Sequence, residues 1–227
     1  DSDKYFYARV SILISLANVL KKTNQNEKAL DYLSEALKLA DEHNLLKLKK
    51  NIYASMGAIF FEMGDYEVAL DQFEESYHLA IKENSLEGQF YSLINMADCK
   101  RSLGNEKDAL INHQSSVRLL DSLEKGPYEI IAYMALGDFF AHVKNKKEAE
   151  FYLNKSLSLS DSSKNDSQKR DIYKSYKVLY ENIGDYQKSL EYFKKFQEVN
   201  DKITSNEMKL KVSILNSEFE LEMKESE

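Results

Sequence analysis

The chain has 227 residues, 43% hydrophobic and 30% charged, with a formal net charge of −7, a folded composition that argues against disorder and supplies apolar mass for one or two domains. Seven glycines and one proline are too few for an all-β chain of tight turns. An acidic balance without a basic tail argues against a nucleic-acid footprint, because phosphate neutralisation needs clustered Lys and Arg.

The first residues, DSDKYFYARV, lack the basic stretch and apolar run of a signal peptide, so none is expected in this chain unless one has been removed. The only cysteine, Cys99, rules out an intrachain disulfide. Cytoplasm and periplasm both stay open. No apolar run reaches 18 residues, so no membrane span is expected.

Along the chain one spacing recurs. Ala29, Ala69, Ala109, Ala149 and Ser189 stand 40 residues apart, without insertion or deletion. Leu39, Leu79, Leu119, Leu159 and Val199 keep the same spacing. So do Leu16, Met56, Met96, Leu136 and Tyr176, and also Ala17, Gly57, Ala97 and Gly137, a column that Lys177 breaks. Each repeat reads as two helices. In the second, Tyr53, Met56, Gly57 and Phe60 make one helical face, and Ala69, Leu70, Phe73, Tyr77 and Leu79 mark the next helix. Between them, Gly64-Asp65-Tyr66 supplies a residue that tolerates the left-handed end of a helix and an Asp able to cap the following one. Gly104-Asn105-Glu106 and Gly184-Asp185-Tyr186 repeat this turn, and Asn24-Gln25-Asn26 and Lys144-Asn145-Lys146 are weaker versions. Lys adopts the left-handed conformation poorly, so the fourth turn is expected to be the most irregular. The small columns let paired helices approach closely. A hairpin cannot bury both its faces alone, so the hairpins must stack.

These columns resemble the tetratricopeptide repeat (TPR). Tyr53, Met56, Gly57, Phe60, Ala69 and Phe73 match its pattern closely, and Tyr133, Leu136, Gly137, Phe140, Ala149 and Leu153 nearly as well. Leu13, Leu16, Ala17, Leu20, Ala29 and Leu33 fit more loosely. The third repeat departs at Lys100 and His113, and the fifth keeps bulk but loses small residues. The 40-residue period exceeds the family's 34, and the proline after the second helix is missing, Pro127 standing instead at the start of the fourth repeat. HEAT and armadillo arrays also have periods near 40, but the Gly-Asp-Tyr turn and the small columns favour the TPR. The implied fold is all-α, a right-handed α-α superhelix of five hairpins plus a C-terminal capping or coiled-coil helix. Residues 1–200 would hold the repeats, at about 3–43, 44–83, 84–125, 126–163 and 164–200, and residues 201–227 the final helix. Met208, Val212, Leu215 and Phe219 form a seam there that suits a cap or a homodimer. The segment NDKITSNEMKLKVSILNSEFELEMKE resembles the exit helix of bacterial TPR sensors, which implies a membrane helix or output domain after Glu227.

The motifs carry no chemistry. His43, His78, His113 and His142 lack metal-ligand spacing, and phosphate-binding and nucleophile-elbow motifs are missing, so no cofactor, metal or catalytic residue is expected. His113 replaces a Phe or Leu and reads as a core histidine. The carboxylates sit at helix-surface spacing, as in Glu35 with Lys38 and Glu191 with Lys195.

In the family the first helix of each pair lines the concave face, which the resemblance places at Asn18, Asn51, Phe61, Tyr91, Asn95, Asp98, Arg101, Met134 and Asp138. Amides of Asn18, Asn51 and Asn95 can bond a peptide backbone, since they both donate and accept. Tyr91, Phe61 and Met134 can hold apolar side chains, and Arg101 can pair a carboxylate, in competition with Asp98 and Asp138. Asn18 matches one residue of the TPR carboxylate clamp, but Ile14 and Ser55 replace two others, so that clamp is not expected. The expected function is a non-enzymatic scaffold for a peptide or protein, as the sensory or regulatory part of a bacterial signalling protein or as a free-standing regulator that sequesters a partner.

Overall fold

The computed structural model describes residues 2–124, 126–163 and 165–225, with side chains described for residues 4–124, 126–163, 165–206 and Met208. Among the described residues there are ten helices and no strand. They are α1 (Ser2–Lys22), α2 (Asn26–Glu42), α3 (Leu46–Met63), α4 (Tyr66–Lys82), α5 (Leu86–Ser102), α6 (Glu106–Leu119), α7 (Pro127–His142), α8 (Lys146–Ser163), α9 (Asp166–Asn182) and α10 (Tyr186–Glu225). The chain divides into two compact units, Asp1–Tyr128 and Glu129–Glu227.

In the first unit, α1, α2 and α3 close on Val10, Ala17, Ala29, Leu33, Ala36 and Ile52, all fully buried. The small residues act as spacers. A Cβ built on Gly57 would lie 2.8–2.9 Å from the Phe73 ring of α4, so only glycine lets α3 and α4 approach this closely. Ser92 of α5 donates to Ser76 of α4 at 3.2 Å inside the packed interface. In the second unit, Gly137 of α7 plays the Gly57 part: a Cβ there would lie 2.6 Å from Leu153 of α8. Ser156 Oγ of α8 donates to the Ile130 carbonyl of α7 at 2.8 Å. Where the small column fails, at Lys177, three rings fill the space. Tyr192 of α10 stacks on Tyr176 at 4.3 Å and on Tyr180 at 5.4 Å.

Four sequence expectations change. Lys144 takes φ +60°, close to Asn24 at +57°, and its turn closes with Asn145 N–H donating to Phe140 O at 2.9 Å, as Asp65 N–H donates to Phe60 O at 3.0 Å. The fourth turn is therefore as regular as the glycine turns: the 6→1 hydrogen bond holds a residue that would not choose the conformation by itself. Asp65 makes no side-chain cap, although Asp185 accepts from Lys188 N–H at 3.2 Å. Leu16 is 38% exposed instead of being core. Glu35 accepts from Arg9 at 2.6 Å rather than pairing with Lys38, while Lys195 does donate to Glu191 at 2.6 Å.

The second helix of the last hairpin does not stop near residue 200. Helix α10 runs unbroken for 40 residues, about 60 Å at 1.5 Å per residue. Met208 is 61% exposed, and the side chains of Val212, Leu215 and Phe219 lie outside the described residues.

Candidate binding groove

The first helices of the second and third hairpins, α3 and α5, flank a cleft of about 460 Å³. Asn51 and Ala54 line it from α3, and Tyr91 and Asn95 from α5. Next to it is a smaller cleft of about 150 Å³ lined by Ala58, Phe61, Asn95 and Asp98. Asn95 faces both, so the two form one groove with an amide at its middle. Small side chains at Ala54 and Ala58 keep its floor low on α3. The apolar platforms are Phe61 and the exposed Tyr91, whose ring meets Phe90 edge-on at 5.4 Å. Burial, then the nearby Glu87 carboxylate, raises the Tyr91 phenol above its ordinary value, so at neutral pH it is a neutral hydrogen-bond donor.

Most charges at the groove are paired, Glu87 being, among the described residues, the lining carboxylate outside the ion pairs. Lys50 Nζ lies 3.0 Å from Glu83 Oε2 and donates to Ser85 Oγ at 3.1 Å. Ser85 also caps α5 by accepting from Gly88 N–H at 3.1 Å. A Cβ on Gly88 would lie 2.9 Å from the Ala80 Cβ and 3.0 Å from the Lys50 Cδ, so this glycine leaves the lysine its path. The Ser85–Lys50 contact looks like a nucleophile beside a base. Here the lysine also pairs with Glu83, and the Ser85 oxygen accepts from both the lysine and the Gly88 N–H, so the cluster ties α3 to the start of α5. At the far end Lys21 pairs with Glu62 at 3.3 Å, and Arg101 lies 3.9 Å from Asp98. The groove therefore offers amides and apolar platforms more than net charge.

Of the residues expected on the concave face, Asn51, Phe61, Tyr91, Asn95 and Asp98 line this groove, and Arg101 adjoins it through Asp98. Asn18 is half-buried on α1 and lines neither cleft. Met134 and Asp138 belong to the second unit. There they line a cleft of about 490 Å³ with His142, Asp171, Lys174 and Val178, where His142 Nδ1 donates to the Asp138 carbonyl at 2.8 Å. Sequence reasoning missed Lys50, Ser85, Glu87 and Gly88. Ser85 enters from the turn before α5, Glu87 and Gly88 from its first turn and Lys50 from the start of α3, away from the core columns, and the N-cap pattern of Ser85 was the one local signal.

The remaining titratable groups belong to packing. His113 is fully buried, and burial, then the Arg101 charge, lowers its pKa to about 4. Burial raises the Cys99 thiol to about 12. His43 stacks on Phe6 at 3.6 Å. Among the described residues no group of three or more His, Cys, Asp or Glu side chains could hold a metal ion, and no helix is long and apolar enough to cross a membrane.

Two family models, each described as tetratricopeptide repeat, match residues 8–82 and residues 130–163 with 178–203, together more than half of the chain. No curated protein matches it. Among solved structures, BtubC (BKLC) from P. vanneervenii is similar at 17% identity and TM-score 0.68, covering 88% of this chain and 82% of that one. Aspartyl phosphate phosphatase F from Bacillus subtilis follows at 16% and 0.66, covering 85% of this chain and 60% of that one. A Rap protein complexed with competence and sporulation factor matches at 12% and 0.67, covering 90% and 66%. At these identities the likeness is one of fold.

Proposed function

The chain belongs to the tetratricopeptide repeat family, and from that premise we propose that it is a non-catalytic scaffold binding an extended peptide or protein segment along the groove between α3 and α5. One observation carries this reading: two adjoining clefts share Asn95, with Asn51 and Tyr91 in one and Phe61 and Asp98 in the other. An extended segment presents backbone amides and carbonyls at regular spacing, which side-chain amides can meet on both counts. Its side chains alternate, so apolar ones can rest on Tyr91 and Phe61. The Rap protein complexed with competence and sporulation factor has a related fold, which supports a role in which such a fold holds a peptide or protein partner. On this reading the chain is the sensory or regulatory part of a bacterial signal-transduction protein, with Met134 and Asp138 forming a second contact region. The alternative is a free-standing regulator that sequesters its partner. The gene sequence after Glu227 separates them: a membrane helix or output domain supports the first, a stop codon the second.

The test uses peptides selected from a random display library against the whole chain, with affinities measured by fluorescence anisotropy. Asn95→Ala and Tyr91→Ala are each expected to weaken binding at least about tenfold, as central interface residues do. Peptides that bind both variants as well as the original chain would refute the groove.

A further inference from the structure

We infer, on the reading that a peptide lies along this groove, that the corner formed by Glu87, Tyr91 and Tyr128 receives a Lys or Arg side chain of that peptide. The three residues converge from two places in the chain. Glu87 and Tyr91 stand four apart on α5, so they share a face, and both line the larger cleft. Tyr128, the last residue of the first unit, brings its ring to 6.0 Å from the Tyr91 ring at an angle of 54°. Phe90, 0% exposed, meets both rings edge-on, at 5.4 Å and 5.2 Å, and so holds the pair in place.

Charge decides what the corner takes. Of the charged residues that line the larger cleft, Lys50 is answered by Glu83, and among the described residues no ion pair engages Glu87. In the smaller cleft Glu62 pairs with Lys21 and Asp98 with Arg101. The groove thus keeps one negative charge over, and that charge lies beside two aromatic rings. Burial, then the Glu87 carboxylate, raises both phenols above their ordinary value, so the rings stay neutral and bring no second anion. An ammonium or guanidinium is drawn by the face of an aromatic ring and by a carboxylate at once, while its aliphatic stem packs on the ring. An acidic side chain would be repelled by Glu87, and an apolar one would strip water from it without offering a hydrogen bond.

The corner also sets a register. Glu87 and Asp98 stand eleven residues apart on α5, about 17 Å at 1.5 Å per residue. Phe61 lines the cleft at the Asp98 end. An extended chain covers that distance in about five residues, so the basic side chain lies about five positions from an apolar one that rests on Phe61.

The experiment selects peptides from a random display library on the whole chain. They are synthesised with acetylated N-termini, so that only a side chain can supply the cation, and those weakened by Asn95→Ala are carried forward as groove binders. These are expected to share a Lys or Arg about five residues from an apolar residue. Replacing that Lys or Arg by Gln should weaken binding at least about tenfold in fluorescence anisotropy, and Glu87→Gln should weaken the unaltered peptide as much. The two changes together should cost no more than either alone. Glu87 is exposed, so the variant is expected to fold. Equal losses on Glu87→Gln for the basic and the Gln peptide would overturn the inference, as would groove binders that lack Lys and Arg; both results leave the groove standing. Peptides indifferent to Asn95→Ala would overturn the groove, and this corner with it.

Discussion

Gly137→Ala tests whether close approach sets the packing of α7 on α8. In an exposed helix interior, glycine to alanine stabilises by about 1 kcal/mol, because alanine is the better helix former. At Gly137 the new methyl would lie 2.6 Å from both Cγ and Cδ2 of Leu153 and 3.2 Å from its backbone nitrogen. Carbon atoms prefer about 3.5–4.0 Å, so the side-chain contacts fall short by about 1 Å. Leu153 is 0% exposed, and its backbone belongs to α8, so neither can give way cheaply. Overpacking of this kind costs about 1–3 kcal/mol, and contacts this short against a buried side chain and a backbone atom put the cost at the upper end. After the helix-propensity gain of about 1 kcal/mol the net loss is up to about 2 kcal/mol. At Gly57 all three close contacts, at 2.8–2.9 Å, are to the Phe73 ring, a side chain that can tilt. The loss there should be smaller. Urea unfolding followed by circular dichroism gives both values from the midpoint and slope. A raised midpoint for Gly137→Ala, or a greater loss at Gly57→Ala, would refute close approach as the role of this column.

His113 makes stability depend on pH. The folded state resists protonation to about pH 4, whereas the unfolded chain takes up the proton near 6.5, so stability present above pH 6.5 is lost as pH falls towards 4. The stability advantage of His113→Leu should therefore grow by about 3 kcal/mol between pH 7 and pH 4, and parallel unfolding curves would contradict it. Tyr180 donates to Glu150 at 2.6 Å, so Tyr180→Phe should cost about 1–2 kcal/mol in thermal unfolding. Cys99, held protonated by burial, should react with a thiol reagent at pH 8 only as fast as the chain opens, a rate that rises with added urea.

The 40-residue columns made the hairpins legible, because close approach needs small residues at fixed places and sequence shows residue size directly. Gly57 and Gly137 stand where that reasoning put them. Leu16 misled it: its column is buried at Met96, Leu136 and Tyr176 and partly buried at Met56, and periodicity alone cannot tell which face of a helix has a neighbour. Lys144 misled it in another way, since local preference disfavoured a turn that hydrogen bonds impose. Asn51, Phe61, Tyr91, Asn95 and Asp98 could be placed on one surface from helical spacing. The Lys50, Glu83 and Ser85 cluster could not, because it joins a helix to the turn that follows the next helix, a contact with no period.

The buried hydroxyls have a mechanical consequence. Ser156 reaches the Ile130 carbonyl, and Ser92 reaches Ser76, across helix pairs packed otherwise by apolar side chains. Apolar surfaces alone tolerate sliding, because hydrophobic attraction has no direction. Shifting either pair by one turn would break the bond between the helices and leave the hydroxyl only the carbonyl of its own preceding turn, as Ser116 uses that of His113, at about 0.5–1.5 kcal/mol. These serines work as detents: they add little to the depth of the energy well and much to its narrowness.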